Sequence, residues 1–369
     1  MQIQWITKFR DFLPLEEEWN GLLTKSTFET LFLRHEWFRI WWEAYGTGAQ
    51  LRILVIRKNE EMIGIAPFML KNERLRHIPV KVLKFMSNAV TPRSFFILHK
   101  DYPNAFEAII EGICERSREW NILMLTDIPT DIGDYDRFFQ FLSGTHLTYS
   151  VTQSRLSPYL RISGDFDKYF AELSANTRSQ ARRAWKKANS KGKVVIKKIT
   201  EHSEITNALD VAFAISVRSW KGDIGTDMGN TEESRRFYRQ LSDVGSKKGW
   251  IILWILELDD APAAMQFHVI YKGIAYLFRT DFDEKFSDLA LGKVLEWEIL
   301  KDYFNSDLIK EYDLCGMNYG YKMRLTNLIR THNDVHIFND QTYSRFLFFL
   351  KRHFLPRVKA LRSKIIRQP

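Results

Sequence analysis

Ile251 to Leu258 reads IILWILEL, Asp259-Asp260-Ala261-Pro262 follows, and Ala263 to Ile270 reads AAMQFHVI. Two apolar, β-branched runs around a short polar break have the length and period of paired strands, so this stretch is predicted to be a β-hairpin with a four-residue turn. The layout occurs 199 residues earlier as well: Leu51 to Arg57 (LRILVIR), the break Lys58-Asn59-Glu60-Glu61, then Met62 to Leu70 (MIGIAPFML). With the two superimposed, Glu61 falls on Asp260 and Pro67 on Gln266. Hairpins with polar turns also recur by chance, but repetition at this distance predicts an internal duplication, with two related halves.

Outward from the first hairpin, Ile3 to Thr7 is predicted as a strand, followed by a helix-rich stretch through Trp19, Phe38, Trp41, Trp42 and Tyr45 whose rings belong to a core. Val80 to Met86 and Phe95 to His99 read as short strands, Phe106 to Arg118 as a helix, and Ile122 to Thr126 as another strand. Turn formers from Ser143-Gly144 to Ser157-Pro158 interrupt the periodicity and mark the boundary between halves. In the second half Tyr159 to Ile162 is a strand, and Asp165 is placed to cap one long helix ending near Gly192. Phe166, Phe170, Leu173, Trp185 and Ala188 recur there at helical spacing, while Arg178, Arg182 and Lys186, and likewise Arg183, Lys187 and Lys191, lie four apart on the other face. Helices at Ile205 to Trp220 and Glu232 to Ser246 precede the second hairpin. After it come a strand at Ile274 to Asp281, a helix at Ala290 to Phe304, and strands at Glu311 to Cys315 and Val335 to Phe338. Such interleaving predicts an α/β fold with a mixed sheet, divided into residues 1–150, 151–341 and a tail of 342–369.

With 369 residues, 45% hydrophobic and 27% charged, the chain can bury two cores and gives no sign of extended disorder. Cys114 and Cys315 are the only cysteines, which argues against a disulfide scaffold and for a reducing compartment. Met1 to Arg10 lacks the pattern of a secretory signal and no apolar run reaches the length of a spanning helix, so the expected location is cytoplasmic. The net charge of +9 suggests nucleic acid until it is located: from Thr342 onward there are eight basic residues and no acidic ones, leaving +1 for the rest. Tyr343, Phe346, Leu347, Leu350, Phe354, Val358, Leu361 and Ile365 recur there three or four apart, so the tail reads as an amphipathic helix that Pro356 kinks or splits. It either docks on the body or lies peripherally on the inner face of an anionic membrane.

There is no Walker A loop, G-x-G-x-x-G, G-x-S-x-G or H-E-x-x-H, and no metal is expected from the scattered histidines. Cys315 has no evident His partner, so a small buried thiol is the expected reading over a nucleophile. The connection from Ile274 to Phe304 is more informative. A helix N-terminus carries unpaired N–H groups and partial positive charge, and Gly292 with Lys293 suits the close approach of an anion such as pyrophosphate. On the preceding strand, alternation puts Leu277, Arg279 and Asp281 on one face. Arg279 and Asp281 are then either a strand-end ion pair or a substrate anchor and a base. Gln266 and His268 also share a face, the first a candidate substrate contact and the second a candidate base or a satisfied sheet histidine. Asp313 ends a strand just before Tyr321-Lys322, where a lysine can neutralise a developing oxyanion.

In this order and spacing the chain resembles the GNAT-related family that includes the CelD-type cellulose-biosynthesis proteins, with their BioF-like acetyltransferase domain, and more distantly the Fem aminoacyl-transferases. The likeness runs from Gln2 to Asn339. It rests on Phe32-Leu33-Arg34-His35-Glu36-Trp37-Phe38 with Trp41-Trp42, on Arg178 to Lys187, on Tyr276 to Phe286, on Leu291-Gly292-Lys293-Val294-Leu295, and on Asp313 to Gly316 with Tyr321-Lys322. It implies tandem GNAT-like domains and acyl transfer from a thioester, usually acyl-CoA, to an amine or hydroxyl without a covalent enzyme intermediate. Carried over by position, Leu291, Gly292 and Lys293 would hold the pyrophosphate, and Tyr321 and Lys322 would line the acceptor or donor site. Ser287-Asp288-Leu289-Ala290-Leu291-Gly292 matches neither the Ser-Pro-Gly of the family nor the Gln/Arg-x-x-Gly-x-Gly/Ala loop of the superfamily.

Three functions follow as expectations. The first is an acyl-CoA-dependent N- or O-acyltransferase acting on a small-molecule or glycan acceptor, in envelope or exopolysaccharide metabolism. The second is a Fem-like transferase taking aminoacyl-tRNA, with Arg182 and Lys186 on its phosphates. The third is a catalytically silent, membrane-peripheral assembly protein.

Overall fold

The chain reverses at Asn59-Glu60 and again at Asp259-Asp260, and all four residues have positive φ, between 48° and 67°. Paired left-handed residues make the type I′ turn that follows the right-handed twist of its strands. Lys58 pairs with Glu61, and Leu258 with Ala261. The loops are therefore two residues long rather than four, because the polar flanks already belong to the ladder.

The computed structural model describes residues 1–75 and 77–354. It divides into two units: residues 1–42, 46–155 and the stretch from 331 onward, and residues 43–45 with 156–330. Among the described residues no helix is long and apolar enough to cross a membrane. The elements of the first half are β1 (Gln2–Ile6), α1 (Phe9–Phe12), α2 (Glu16–Thr24), α3 (His35–Tyr45), β2 (Gln50–Lys58), β3 (Glu61–Leu75), β4 (Ile78–Phe85), β5 (Ile97–Leu98), α4 (Ala105–Glu115), β6 (Ile122–Pro129) and α5 (Tyr135–Ser143). Then come β7 (Thr148–Arg161), α6 (Phe166–Glu172), α7 (Ala175–Asn189), β8 (Val194–Ile199), α8 (His202–Val217), α9 (Trp220–Asp223), α10 (Glu232–Lys247), β9 (Ile251–Leu258), β10 (Ala261–Tyr271), β11 (Ile274–Phe282), α11 (Leu291–Phe304), β12 (Glu311–Asp313), β13 (Ile329–Phe338) and α12 (Thr342–Phe349).

The paired strands of the two units repeat one plan. In the first, β1, β2, β3 and β4 pair antiparallel in sequence and β4 pairs parallel with β6. In the second, β8, β9, β10 and β11 pair antiparallel and β11 pairs parallel with β12. A helix crosses over before each parallel strand, α4 in one case and α11 in the other, as a parallel connection requires. The fold is thus α/β with mixed strand pairing in two halves of like topology. The last strand of each sheet comes from a distant part of the chain. β13 pairs antiparallel with β6, and the end of β7 pairs antiparallel with β12. The strand expected to close the second half therefore belongs to the first. The stretch from Ser143-Gly144 to Ser157-Pro158, read as marking the boundary between halves, holds most of the 14-residue strand β7. Its alternating threonines, serines and apolar residues carry strand propensity through the turn formers.

One long helix was expected from Asp165 to Gly192; instead α6 and α7 form. Asp165 accepts from the N–H groups of Asp167 and Lys168, and Ser174 accepts from Thr177 N. Ser174 caps a new helix more favourably than it continues the old one. Thr177, Ala181, Ala184 and Ala188 bury the inner face of α7, and these small side chains let it pack close to α11. In the tail, Leu347 is buried with Val80, Val82, Ile122 and Phe338 and Tyr343 Oη donates to Pro79 O at 2.6 Å, while Phe346 and Phe349 are exposed. The expected kink at Pro356 and the apolar positions Val358, Leu361 and Ile365 lie outside the described residues.

Candidate active site

β11 and β12 pair only through Ile274↔Glu311, Ala275↔Tyr312 and Tyr276↔Asp313. Beyond Tyr276 the strands part: β11 continues to Phe282, while the other chain turns away at Cys315 (φ 50°) and Gly316 (φ 59°). A β-strand edge left open in this way offers backbone N–H and C=O groups to a ligand.

α11 starts beside the opening. Its N-cap Ala290 is left-handed (φ 52°, ψ 38°), a strained conformation for a residue with a Cβ, worth on the order of 1 kcal/mol. The first helical bonds run from Lys293 N and Val294 N to Ala290 O, so the Leu291 and Gly292 N–H groups precede the ladder. A Cβ at Gly292 would meet only Phe282 Cδ1, at 3.7 Å. Packing does not demand glycine here, and an open approach to the helix terminus is the better reason for it. Lys293 Nζ reaches Gln180 Oε1 at 3.4 Å, Arg324 Nη1 donates to the same oxygen at 2.8 Å, and Lys187 Nζ donates to Asp288 O at 2.8 Å. The basic helix α7 is thereby tied to the connector before α11.

Arg182 and Lys186 stand on the outer face of α7, where a hollow of about 300 Å³ is also lined by Arg178, Ser179 and Arg183. Arg182 lies over the Phe170 ring, 5.7 Å from its centroid. Between Glu172 and Glu201 there are nine basic residues and no acidic ones.

At the far side of the parting, Lys322 is buried, and its Nζ donates to Leu314 O and Cys315 O at 2.7 Å each. An ammonium has three protons, and among the described residues no acceptor holds the third. Burial lowers its pKa to about 8, opposed by the nearby Cys315 and Glu296. Tyr319 and Tyr321 lie together on one side of it, with ring centroids 5.7 and 5.8 Å from Nζ and 6.2 Å from each other. Asp313 accepts from Cys315 N at 2.8 Å and pairs with Arg330 at 2.8 Å, so it shapes the turn that carries Lys322.

Asp281 and Arg279 share the α8 side of β11, but Leu277 does not follow. A bulge opposite Phe267/His268 shifts the register, and Leu277 packs in the core with Val294 and Leu295. Asp281 is buried, accepts from Ser216 Oγ at 2.6 Å and pairs with Lys221 Nζ at 2.5 Å. Lys221 also donates to Thr280 O at 2.7 Å, and burial lowers its pKa against the pull of Asp281. Arg279 donates to Thr226 O at 2.6 Å. Burial raises the Tyr321 pKa with a smaller contribution from Asp281, and Lys221 adds to the lowering that burial causes at Lys322.

Gln266 and His268 are elsewhere, in a closed network beneath α11. His268 Nε2 meets Gln266 Oε1 at 2.8 Å and its Nδ1 meets Tyr303 Oη at 2.5 Å; Gln266 Nε2 donates to Glu296 Oε2 at 2.7 Å. Full burial depresses the His268 pKa to about 3. Since Gln266 Oε1 can only accept, Nε2 of a neutral His268 carries its proton and Tyr303 donates to Nδ1. Both nitrogens are engaged and the ring is neutral at ordinary pH.

Lys221, Glu296, Gln180 and Arg330 are the residues the sequence did not single out. Glu296 left a readable signal, an acidic residue four positions after Gly292 on a face otherwise apolar. The other three act through contacts between elements distant in sequence. The first unit has the corresponding parting and fills it with its own loop: Ser87 Oγ meets Thr126 Oγ1 at 3.2 Å and Ser94 N donates to Asp127 O at 3.2 Å.

Comparison with known proteins agrees with this geometry. Residues 175–323 match a family model described as an acetyltransferase (GNAT) domain, and that span takes in α7, the parting strands, α11 and Lys322. The crystal structure of FemX is similar at TM-score 0.61 and 11% identity, covering 94% of this chain and 99% of that one. A conserved protein of unknown function from Bacteroides thetaiotaomicron VPI-5482 is similar at TM-score 0.59 and 11% identity, covering 92% and 100%. At such identities these structures speak for the fold alone. A search of curated proteins returns no match. The second half thus contains a segment that matches a GNAT acetyltransferase domain, which supports a transferase.

Proposed function

We propose that the second half transfers an acyl group from acyl-CoA to a hydroxyl or amine acceptor. The observation that carries this reading is the parting of β11 from β12 beside an open helix N-terminus, since it supplies a strand edge for the pantetheine and thioester and an anion site for the pyrophosphate. In this reading the N–H groups of Leu291 and Gly292, with the Lys293 side chain, hold the pyrophosphate. Acceptor oxygen or nitrogen attacks the thioester carbon, the new C–O or C–N bond forms, the C–S bond breaks, and the acceptor proton ends on the CoA thiol. Lys322 directs its third N–H at the oxyanion, and Tyr321 lines the acceptor side. Asp281 holds Lys221 and the end of β11, which favours a positioning role over that of a base; Arg279 secures the adjoining loop. Asp313 positions Lys322 through the turn, and the Gln266–His268 network fixes α11 against the sheet. Calorimetry tests the donor: acetyl-CoA is expected to bind with a Kd somewhere in the range of about 1 μM to 1 mM typical of enzyme substrates, and no heat at millimolar acetyl-CoA would end this reading.

The nine uninterrupted cations from Arg178 to Lys198 favour a second reading in which the donor is an aminoacyl-tRNA lying on α7. It requires salt-sensitive tRNA binding that drops when Arg182 and Lys186 are replaced by Ala. For the tail, exposed Phe346 and Phe349 beside Arg345 support contact with an anionic membrane. Flotation with anionic vesicles should then depend on residues from Thr342 onward; equal flotation of a chain lacking them argues for docking on the body alone.

A further inference from the structure

Leu314 and Cys315 supply the first two carbonyls after β12 ends at Asp313, and both accept from Lys322 Nζ at 2.7 Å. The nitrogen therefore lies where the chain leaves β11. Its turn is held in place: Lys322 N donates to Tyr319 O at 2.9 Å and Ser157 Oγ to Gly316 O at 3.1 Å. Gly316 has φ 59°, which favours glycine, and a Cβ there would come within 3.4 Å of Nζ, so the missing side chain also leaves room beside the nitrogen. Held in this way, the amine can act in two forms. As an ammonium it gives two protons to the carbonyls and has the third for an oxyanion. As a neutral amine it gives its two protons to the same carbonyls, and its lone pair takes the direction of the third.

A desolvated lysine is a nucleophile near neutral pH. Burial brings the Lys322 pKa to about 8; Cys315 and Glu296 favour the charged form and Lys221 opposes it, and the Tyr319 and Tyr321 rings lie against the nitrogen. About a tenth of the amine is then neutral at pH 7 and about half at pH 8. We propose that Lys322 is a site of self-acylation: with acyl-CoA bound and no acceptor present, its neutral amine attacks the thioester carbon. The Nζ–C bond forms, the C–S bond breaks, and a proton from Nζ leaves with the CoA thiol. The amide has no positive charge and keeps one N–H for two carbonyls. It is a dead end that removes the oxyanion donor, and a bound acceptor prevents it by taking the acyl group first. This inference rests on the acyl-transfer reading and adds a modification of the same site.

Lys351 provides an internal control. Burial lowers its pKa to about 8 as well, but its contacts, Ser150 Oγ at 3.2 Å and the Phe338 ring, are no part of the proposed donor site. Unguided chemical acetylation takes both lysines, whereas acylation from a bound donor takes Lys322.

The test incubates the full-length chain with acetyl-CoA and no added acceptor, and follows each lysine by peptide mass spectrometry. One acetyl group is expected on Lys322, at a rate that rises about tenfold per pH unit below about pH 8 and levels off above it. Lys351 should be acetylated at least about tenfold more slowly, since it lacks a thioester held beside it. In urea, where the clamp on Nζ is gone, the preference for Lys322 should vanish, and the intact mass of K322R should stay unchanged over the same time. Equal labelling of Lys322 and Lys351 in the folded chain, a rate independent of pH, or an unmodified Lys322 above pH 8 overturns the proposal. Acetyl-CoA calorimetry on the same samples separates the two ideas. If acetyl-CoA binds and Lys322 stays unmodified, only the self-acylation is wrong; if acetyl-CoA does not bind, the transfer reading fails and this inference with it.

Discussion

Lys322 is held by two carbonyl oxygens in a buried position, with burial lowering its pKa to about 8. If it acts as a cation on the oxyanion, transfer should fall as pH rises through about 8, because the charged form is lost. In K322R the charge persists, and that fall should move beyond the accessible range. A rate that instead rises through pH 8 would make the neutral amine a base and contradict the oxyanion role. K322M should lose on the order of 10²–10³ in kcat, the usual effect of removing one such donor. Asp281 belongs to a different category. D281A leaves Lys221 buried without its partner, and about 2–4 kcal/mol of stability should go with it, somewhat less than for a fully buried pair because Lys221 is partly accessible. Thermal unfolding checks this; unchanged stability together with abolished transfer would restore Asp281 as a base.

At the scale of elements, Gly292 is the discriminating position. G292A meets nothing closer than 3.7 Å and should raise helix stability by roughly 0.5–1 kcal/mol. It should also weaken acetyl-CoA binding at least about tenfold, since a methyl group stands where phosphate must approach the N–H groups. Opposite signs in melting and in calorimetry distinguish a ligand site from a packing site. Here the sequence was legible, because the Leu291-Gly292-Lys293 run sits directly between a strand and a helix. It was less legible where side chains mimic the backbone. Ser174 splits one expected helix into two, and the bulge in β10/β11 moves Leu277 off the face of Arg279. Neither follows from periodicity, which averages over several residues. His268 illustrates the same limit for chemistry: its pKa of about 3 comes from burial among Gln266, Tyr303 and Tyr312, contacts made by strands and a helix far apart in sequence.

For the whole molecule, the duplication seen in the two hairpins extends to the order of the main strands, β5 aside, but the closing strands are exchanged along the chain. That exchange was not readable, because Val335 to Phe338 is as good a strand in either sheet. It predicts that a chain ending at Arg330 loses more than a tail. Val335, Ile337 and Phe338 are 0% exposed, and withdrawing three such side chains costs roughly 5–9 kcal/mol, comparable with the whole stability of an ordinary domain. The truncated chain should therefore show hydrogen exchange without protection through β2 to β6; native-like protection there would show that the first sheet stands without β13.

The most direct test of the account is hydrogen–deuterium exchange of the intact chain with and without acetyl-CoA. Added protection is expected along the open edge of β11, at Leu291 to Val294 and at Leu314 to Lys322, with none at Ser87 to Ser94, where the first unit fills its own parting. Protection confined to the first unit, or to the outer face of α7, would contradict the placement of acyl transfer between β11 and β12.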